Sequence, residues 1–167
     1  AINTNDGGQG EIYGNIAHDI SGSGCQVSGD ITRFNIFHNT FINCNYGVSC
    51  WTTGNNAGEI YVENNILQGR SNDINANTRN TGQTMKGRRN ILVNGKQGGN
   101  YRGQDDIRQV NMQSLFVNPS QKDYRLKTDA SAVNNGVRAS TDYRRDWAGN
   151  AICQVPDIGA LELCLVK

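Results

Sequence analysis

Lys86, Arg88, Glu59 and Glu63 are the residues of this sequence best suited to polar chemistry, and Arg33, Phe37 and Tyr61 accompany them upstream. Lys86 and Arg88 stand two apart, so on a strand they point the same way. Such a pair suits removal of a proton alpha to a carboxylate. Lys86 would be the base and Arg88 the clamp on the carboxylate. A lysine base needs its pKa lowered by burial or by neighbouring cations, here Arg88 and Arg89. Glu59 or Glu63 could bring Ca²⁺, the one cofactor these residues suggest, to the same carboxylate. The faces of Phe37 and Tyr61 suit sugar rings, and Arg33 suits a uronate group. That is the equipment of a polysaccharide lyase acting on an acidic polymer. Hydrolysis would instead use paired carboxylates, Glu59 with Glu63 or Asp105 with Asp106. The alternative to both is a set of solvated charges on an exposed sheet.

These residues share one setting, a repeat. Gly14-Asn15-Ile16, His38-Asn39-Thr40, Asn64-Asn65-Ile66 and Arg89-Asn90-Ile91 resemble one another, and their Asn residues are 24, 26 and 25 apart. A period near 25 fits a coil of short strands whose turns gain or lose a residue while the strands keep register. Three before each Asn stand Ile12, Ile36, Val62 and Gly87. Five before stand Gly10, Phe34, Ile60 and Met85. These apolar columns alternate with polar residues, as on strands, and no unit carries a helical period. Stacked coils about 4.8 Å apart would bring like onto like. The structural residues are then Asn15, Asn39, Asn65 and Asn90, whose amides can bond from coil to coil and which tolerate left-handed turns. The same alternation turns Glu11, Tyr13, Asn35, Phe37, Tyr61, Glu63, Lys86 and Arg88 outward onto one wall.

A second alignment sets Gly24–Val27 beside Gly47–Cys50 and Asp73–Ala76. It stacks Cys25 on Val48 and Cys50 on Val27, which favours buried thiols. A straight count of 25 residues from Cys25 would stack it on Cys50 and permit a disulfide. The polar stretches 70–83 and 94–111 read as loops on the wall.

Composition sets limits. Sixteen Lys and Arg against 15 Asp and Glu give no electrostatic case for nucleic acid. No apolar run is long enough to span a bilayer. His18 and His38 fall at different positions of the repeat and no Cys pair has zinc spacing, so both read as turn residues. Gly7–Gly10 precedes no helix and is no phosphate loop. The chain opens on Ala with no leader, so any signal peptide has been removed or lies outside it.

From Ser114 the sequence changes. It runs through Ser114-Leu115-Phe116-Val117-Asn118-Pro119, Asp123-Tyr124-Arg125-Leu126, Ser131-Ala132-Val133-Asn134-Asn135-Gly136 and Asp146-Trp147-Ala148-Gly149-Asn150. It ends in Pro156-Asp157-Ile158-Gly159-Ala160-Leu161-Glu162. This series, the last third of the chain, resembles the C-terminal block of secreted right-handed parallel β-helix proteins of the pectate-lyase-like superfamily. The resemblance implies an all-β fold, a right-handed parallel β-helix solenoid with a C-terminal capping segment. Residues 1–112 would be rungs and 113–167 the closing segment. It also implies export to the cell exterior or surface, and sites on the outer face of one parallel sheet. The Asp and His motifs of polygalacturonases and the Arg-centred signature of common pectate lyases are not seen. Apolar residues from Leu115 to Leu161 are expected to cover the open end of the solenoid. Cys153 and Cys164 bracket the final Asp-Ile-Gly-Ala strand and could form a disulfide. The N-terminal end shows no cover, so rungs have been lost there or the end meets another copy or another chain. Two readings follow: a module that binds or cleaves acidic polysaccharide, or a non-catalytic structural and adhesive element.

Overall fold

The structure is a computed structural model that describes residues 1–4, 8–52, 58–78, 84–139 and 143–164. Its repeat is realised as a parallel β-solenoid of about three turns. The strands are β1 (Ile2–Thr4), β2 (Gly8–Tyr13), β3 (Ile16–His18), β4 (Ser23–Ser28), β5 (Ile31–Phe37), β6 (Thr40–Thr52), β7 (Glu59–Glu63) and β8 (Ile66–Thr78). The chain continues through β9 (Met85–Arg88), β10 (Ile91–Leu92), β11 (Gln97–Gly99), β12 (Tyr101–Gln104) and β13 (Ile107–Arg108). Then come a single helical turn α1 (Met112–Leu115) and an antiparallel pair, β14 (Phe116–Asn118) and β15 (Asp123–Leu126). One parallel sheet runs β12-β9-β7-β5-β2. The other runs β1-β4-β6-β8-β10-β13, with β3 and β11 alongside.

The register follows the repeat. Ile12, Ile36, Val62 and Gly87 stack, as do Gly10, Phe34, Ile60, Met85 and Tyr101. With Phe41, Leu67 and Leu92 these columns form the interior, where Ile36, Ile60, Val62 and Leu67 are fully buried. Each such side chain contributes roughly 1.5–3 kcal/mol by leaving water. Cys25 pairs with Val48 and Cys50 with Val27, so both cysteines face the core. Neither they nor Cys44 forms a disulfide, and burial pushes the Cys25 thiol up to about 12.

The Asn residues form one file. The Asn15 amide lies 2.9 Å from Asn39 Oδ1, Asn39 lies 2.9 Å from Asn65 Oδ1, and Asn65 lies 3.0 Å from Asn90 Oδ1. Each backbone N–H in the file donates to the same oxygen, at 3.0–3.1 Å. The left-handed turn falls one residue earlier than expected, at Gly14, His38, Asn64, Arg89 and Asp105. The ladder Asn therefore serves as an acceptor for the rung before it, and its neighbour makes the corner.

The file has a fifth member that the period hides. Asp106, only 16 residues after Asn90, accepts from the Asn90 backbone N–H at 3.0 Å. A carboxylate has no N–H to hand onward, so it suits the last place. In this short rung Tyr101 reaches into the gap left by Gly87: a Cβ on Gly87 would collide with the Tyr101 hydroxyl. That hydroxyl donates to Asp106 Oδ2 at 2.6 Å.

Two expectations change. The polar stretches hold strands rather than loops: Arg70 to Thr78 belongs to β8, and β11, β12 and β13 lie between residues 97 and 108. Ile74 and Ala76 face inward, while buried Asp73 accepts from the N–H groups of Gly69, Asn94 and Lys96. Residues 79–83 lie outside the described residues. The second change concerns the closing segment, whose apolar residues cover a side wall rather than an end. Leu115, Phe116, Leu126 and Ile158 pack on the outward faces of Ile42, Ile66, Ile91 and Val93. Gly159 is required there, because its φ of +108° is left-handed and a Cβ would strike Ile66 and Thr40. The final segment is no sheet strand. Single bonds hold it, from Gly159 N–H to Asn64 O at 2.8 Å and from Ala160 N–H to Thr40 Oγ1 at 3.0 Å. Cys153 and Cys164 are joined, with Cα atoms 5.8 Å apart.

Candidate functional site

Strand alternation sends the polar residues of β2, β5, β7 and β9 outward in three files. Gln9, Arg33 and Glu59 make one file, and Glu11, Asn35, Tyr61 and Lys86 the next. Tyr13, Phe37, Glu63 and Arg88 make the third. Tyr61 sits at the centre. The Arg33 guanidinium lies 5.2 Å from its ring centroid and the Lys86 ammonium 5.3 Å, so the ring carries a cation from each neighbouring rung. Its hydroxyl donates to Glu59 Oε1 at 2.8 Å, which fixes the ring. Arg33, Asn35, Phe37, Tyr61 and Glu63 line a cavity of about 230 Å³ whose lip is Ala139. A second depression, of about 310 Å³, adjoins it along Gln9, Gly10 and Glu11 and shares Arg33 and Asn35. The two form one groove crossing successive rungs.

The register brings Arg33, Tyr61, Glu59, Glu63, Lys86 and Arg88 onto one wall, where their surroundings differ from those a lyase would need. Lys86 pairs with Glu59 at 3.2 Å, and this hydrogen bond raises its pKa, with Tyr61 adding to the effect. A base needs the opposite shift. Arg88 is likewise held by Glu63 at 3.1 Å. Hydrogen bonds from Tyr61 and Lys86 hold Glu59 below the usual carboxylate range. Glu59 and Glu63 stand four apart on β7, about 13 Å along a strand between their backbones, and each carboxylate already holds a cation of the next rung. Phe37 is on the expected face but is 1% exposed, so it offers no surface to a sugar. Tyr13 stacks on it at 4.9 Å, and Tyr143 meets it edge-on at 5.7 Å. Glu11 keeps company with Asn35, whose amide donates to it at 3.2 Å.

The C-terminal segment forms one bank of the groove. Val137 exchanges two bonds with the Asn64 side chain. Tyr143 stacks on the His38 ring at 4.7 Å. Burial lowers the His38 imidazole to about 4, and its Nε2 lies 3.0 Å from the Asn64 amide, so it is the structural turn residue expected. His18 lies on another wall, 3.0 Å from Asp19. A cluster that spacing alone does not reveal holds the far end of this segment. Asp157 and Asp146 are buried and accept from backbone N–H groups, including Asn134, Leu163, Asn150 and Glu162. Glu162 accepts from the Asp157 N–H at 3.0 Å while its other oxygen is buried without a partner. Burial, then Asp157 and Asp146, raises Glu162 to about 8. Among the described residues the one trio with metal-ligating atoms close together is Cys153, Glu162 and Cys164, within 4.8 Å, and its sulfurs are bonded to each other. Among the described residues no helix is long and apolar enough to cross a membrane.

No protein-family model, curated protein or solved structure matches this chain.

Proposed function

We propose that the outer face of the five-stranded sheet binds a polysaccharide laid across successive rungs, and that it holds the polymer without cleaving it. The observation that carries this reading is Tyr61, braced by Arg33 and Lys86 on the floor of a groove open from Gln9 to Glu63. A braced aromatic ring gives a sugar a flat apolar surface at little cost in side-chain freedom. Asn35, Glu59 and Glu63 supply acceptors for hydroxyls. Arg33 forms no ion pair with a carboxylate among the described residues, so it is the group to meet an acidic sugar. Lyase chemistry is disfavoured because Lys86 is protonated and paired. From the resemblance of the C-terminal block to exported β-helix proteins we infer that the module works at the cell surface, where polymers of this kind lie.

The test is affinity electrophoresis through polygalacturonate and alginate. Tyr61→Ala is expected to weaken retardation about tenfold, or about 1.4 kcal/mol, with the urea midpoint kept. Equal retardation of the two proteins would refute the groove. An unsaturated-uronate absorbance that depends on Lys86 would show that the face cleaves.

A further inference from the structure

The geometry points to a second ligand site, for an uncharged oligosaccharide, on a different wall of the solenoid and centred on Trp147. Its indole is 64% exposed, the most open of the large apolar side chains among the described residues. The backbone that carries it is nonetheless held firmly. Its backbone N–H donates to Ala160 O at 3.0 Å. The turn that carries it is tied by the buried Asp146 carboxylate, which accepts from Asn150 N–H at 2.7 Å, from the Asn150 amide at 2.9 Å and from Glu162 N–H at 2.8 Å. A large apolar ring carried into water on a turn that a buried carboxylate ties offers a ligand an apolar surface with little backbone left to order.

Beside it lies a depression of about 300 Å³, with Ile16, Tyr124 and Leu161 in its lining and Lys122 and Arg125 among its polar groups. The charged groups here are already matched. Lys122 pairs with Asp19 at 3.0 Å, and Arg125 holds Asp123 through two bonds of 2.8 and 2.6 Å. His18 also lies 3.0 Å from Asp19, so among the described residues that line the depression no cation is left over for a uronate, in contrast to Arg33 in the Tyr61 groove. Paired carboxylates keep lone pairs that accept from hydroxyls, and the paired cations keep N–H groups that donate. An aromatic plate beside neutralised donor–acceptor pairs is suited to the two faces of an uncharged sugar, the apolar C–H face and the hydroxyl rim.

The site is independent of the Tyr61 groove, so one chain could hold two polymer segments at once. The chain has two tryptophans, so Trp51→Phe leaves Trp147 as the only indole. That protein is titrated with hexasaccharides of β-linked glucose, xylose and mannose, with hexagalacturonate as the charged control. At least one neutral hexasaccharide is expected to shift the Trp147 emission saturably. The shift should persist in Tyr61→Ala and in about 0.5 M NaCl, where charges are screened within a few ångströms. Hexagalacturonate should leave the emission unchanged. Retention on the matching immobilised glycan should weaken about tenfold in Trp147→Ala, and Trp147→Phe should recover part of it. No shift with any neutral sugar, or equal retention of Trp147→Ala, would overturn the proposal. So would a shift with phosphatidylcholine vesicles in place of the sugars. Loss of the Trp147 shift in Tyr61→Ala would mean one site rather than two.

Discussion

Two sets of polar side chains, the buried Asn file and the outward files of the wall, run side by side along this solenoid and differ in little except depth. In one, Asn39, Asn65 and Asn90 link rungs through bonds of 2.9–3.0 Å with no exposure to solvent. In the other, Glu63 reaches Arg88 at 3.1 Å and Glu59 reaches Lys86 at 3.2 Å, at the surface. Bond length does not separate them. Water does. The amides have no solvent to return to, so each lost partner leaves a buried polar group unsatisfied. The charged pairs exchange one aqueous partner for another and are screened by salt. The inner file fixes the stacking of rungs, which leaves the outer file free to vary with what the wall must bind.

The largest effect expected from breaking this contrast is in the inner file. Asn65→Ala orphans the Asn39 backbone N–H and removes the donor to Ile36 O, Glu63 O and Asn90 Oδ1, while the Asn39 amide keeps Ile12 O and Phe37 O. The loss should be on the order of 3 kcal/mol, read from urea denaturation. A midpoint like that of the wild type would mean that depth is not what separates the files.

The second effect sharpens the contrast with buried groups whose partners are incomplete. Glu162, raised to about 8 by burial and by Asp157 and Asp146, keeps a proton that the unfolded chain releases from about pH 4.5 upward. Its contribution to stability therefore falls as pH rises from 4.5 to 8. His38, lowered to about 4 by burial, excludes a proton that the unfolded chain takes up below 6.5, so its contribution falls as pH drops from 6.5 to 4. The two oppose each other between 4.5 and 6.5, which confines the Glu162 loss to the alkaline arm. Thermal melts from pH 5 to 9 should show Glu162→Gln about 5 °C more stable than the wild type near pH 8 and little different near pH 5. A constant offset at every pH would remove Glu162 as the source.

The smallest effect belongs to the outer file. Lys86→Ala should leave the urea midpoint unchanged in both low and high salt, because its pair with Glu59 lies exposed to solvent. A clear drop at low salt would show that the wall contributes to the fold after all.

The spacing of four Asn residues and the apolar positions three and five before them determined the solenoid, its register and which side chains point outward. Those properties follow from alternation and repetition along a few neighbouring residues. The last rung was illegible because its period breaks: Tyr101 fills the space of Gly87, and Asp106 replaces the next Asn. Of β8, the stretch 73–76 was legible by its alignment with Gly47–Cys50, whereas 70–72 was hidden by its polarity. What each outward residue meets was decided only by tertiary structure. Tyr143 covers Phe37, Glu59 claims Lys86, and Val137 docks on Asn64 across 73 residues of chain. Local sequence sets the direction in which a side chain leaves the backbone. The solvation and charge it finds there come from segments far away in the chain, and these depend on how the whole molecule packs.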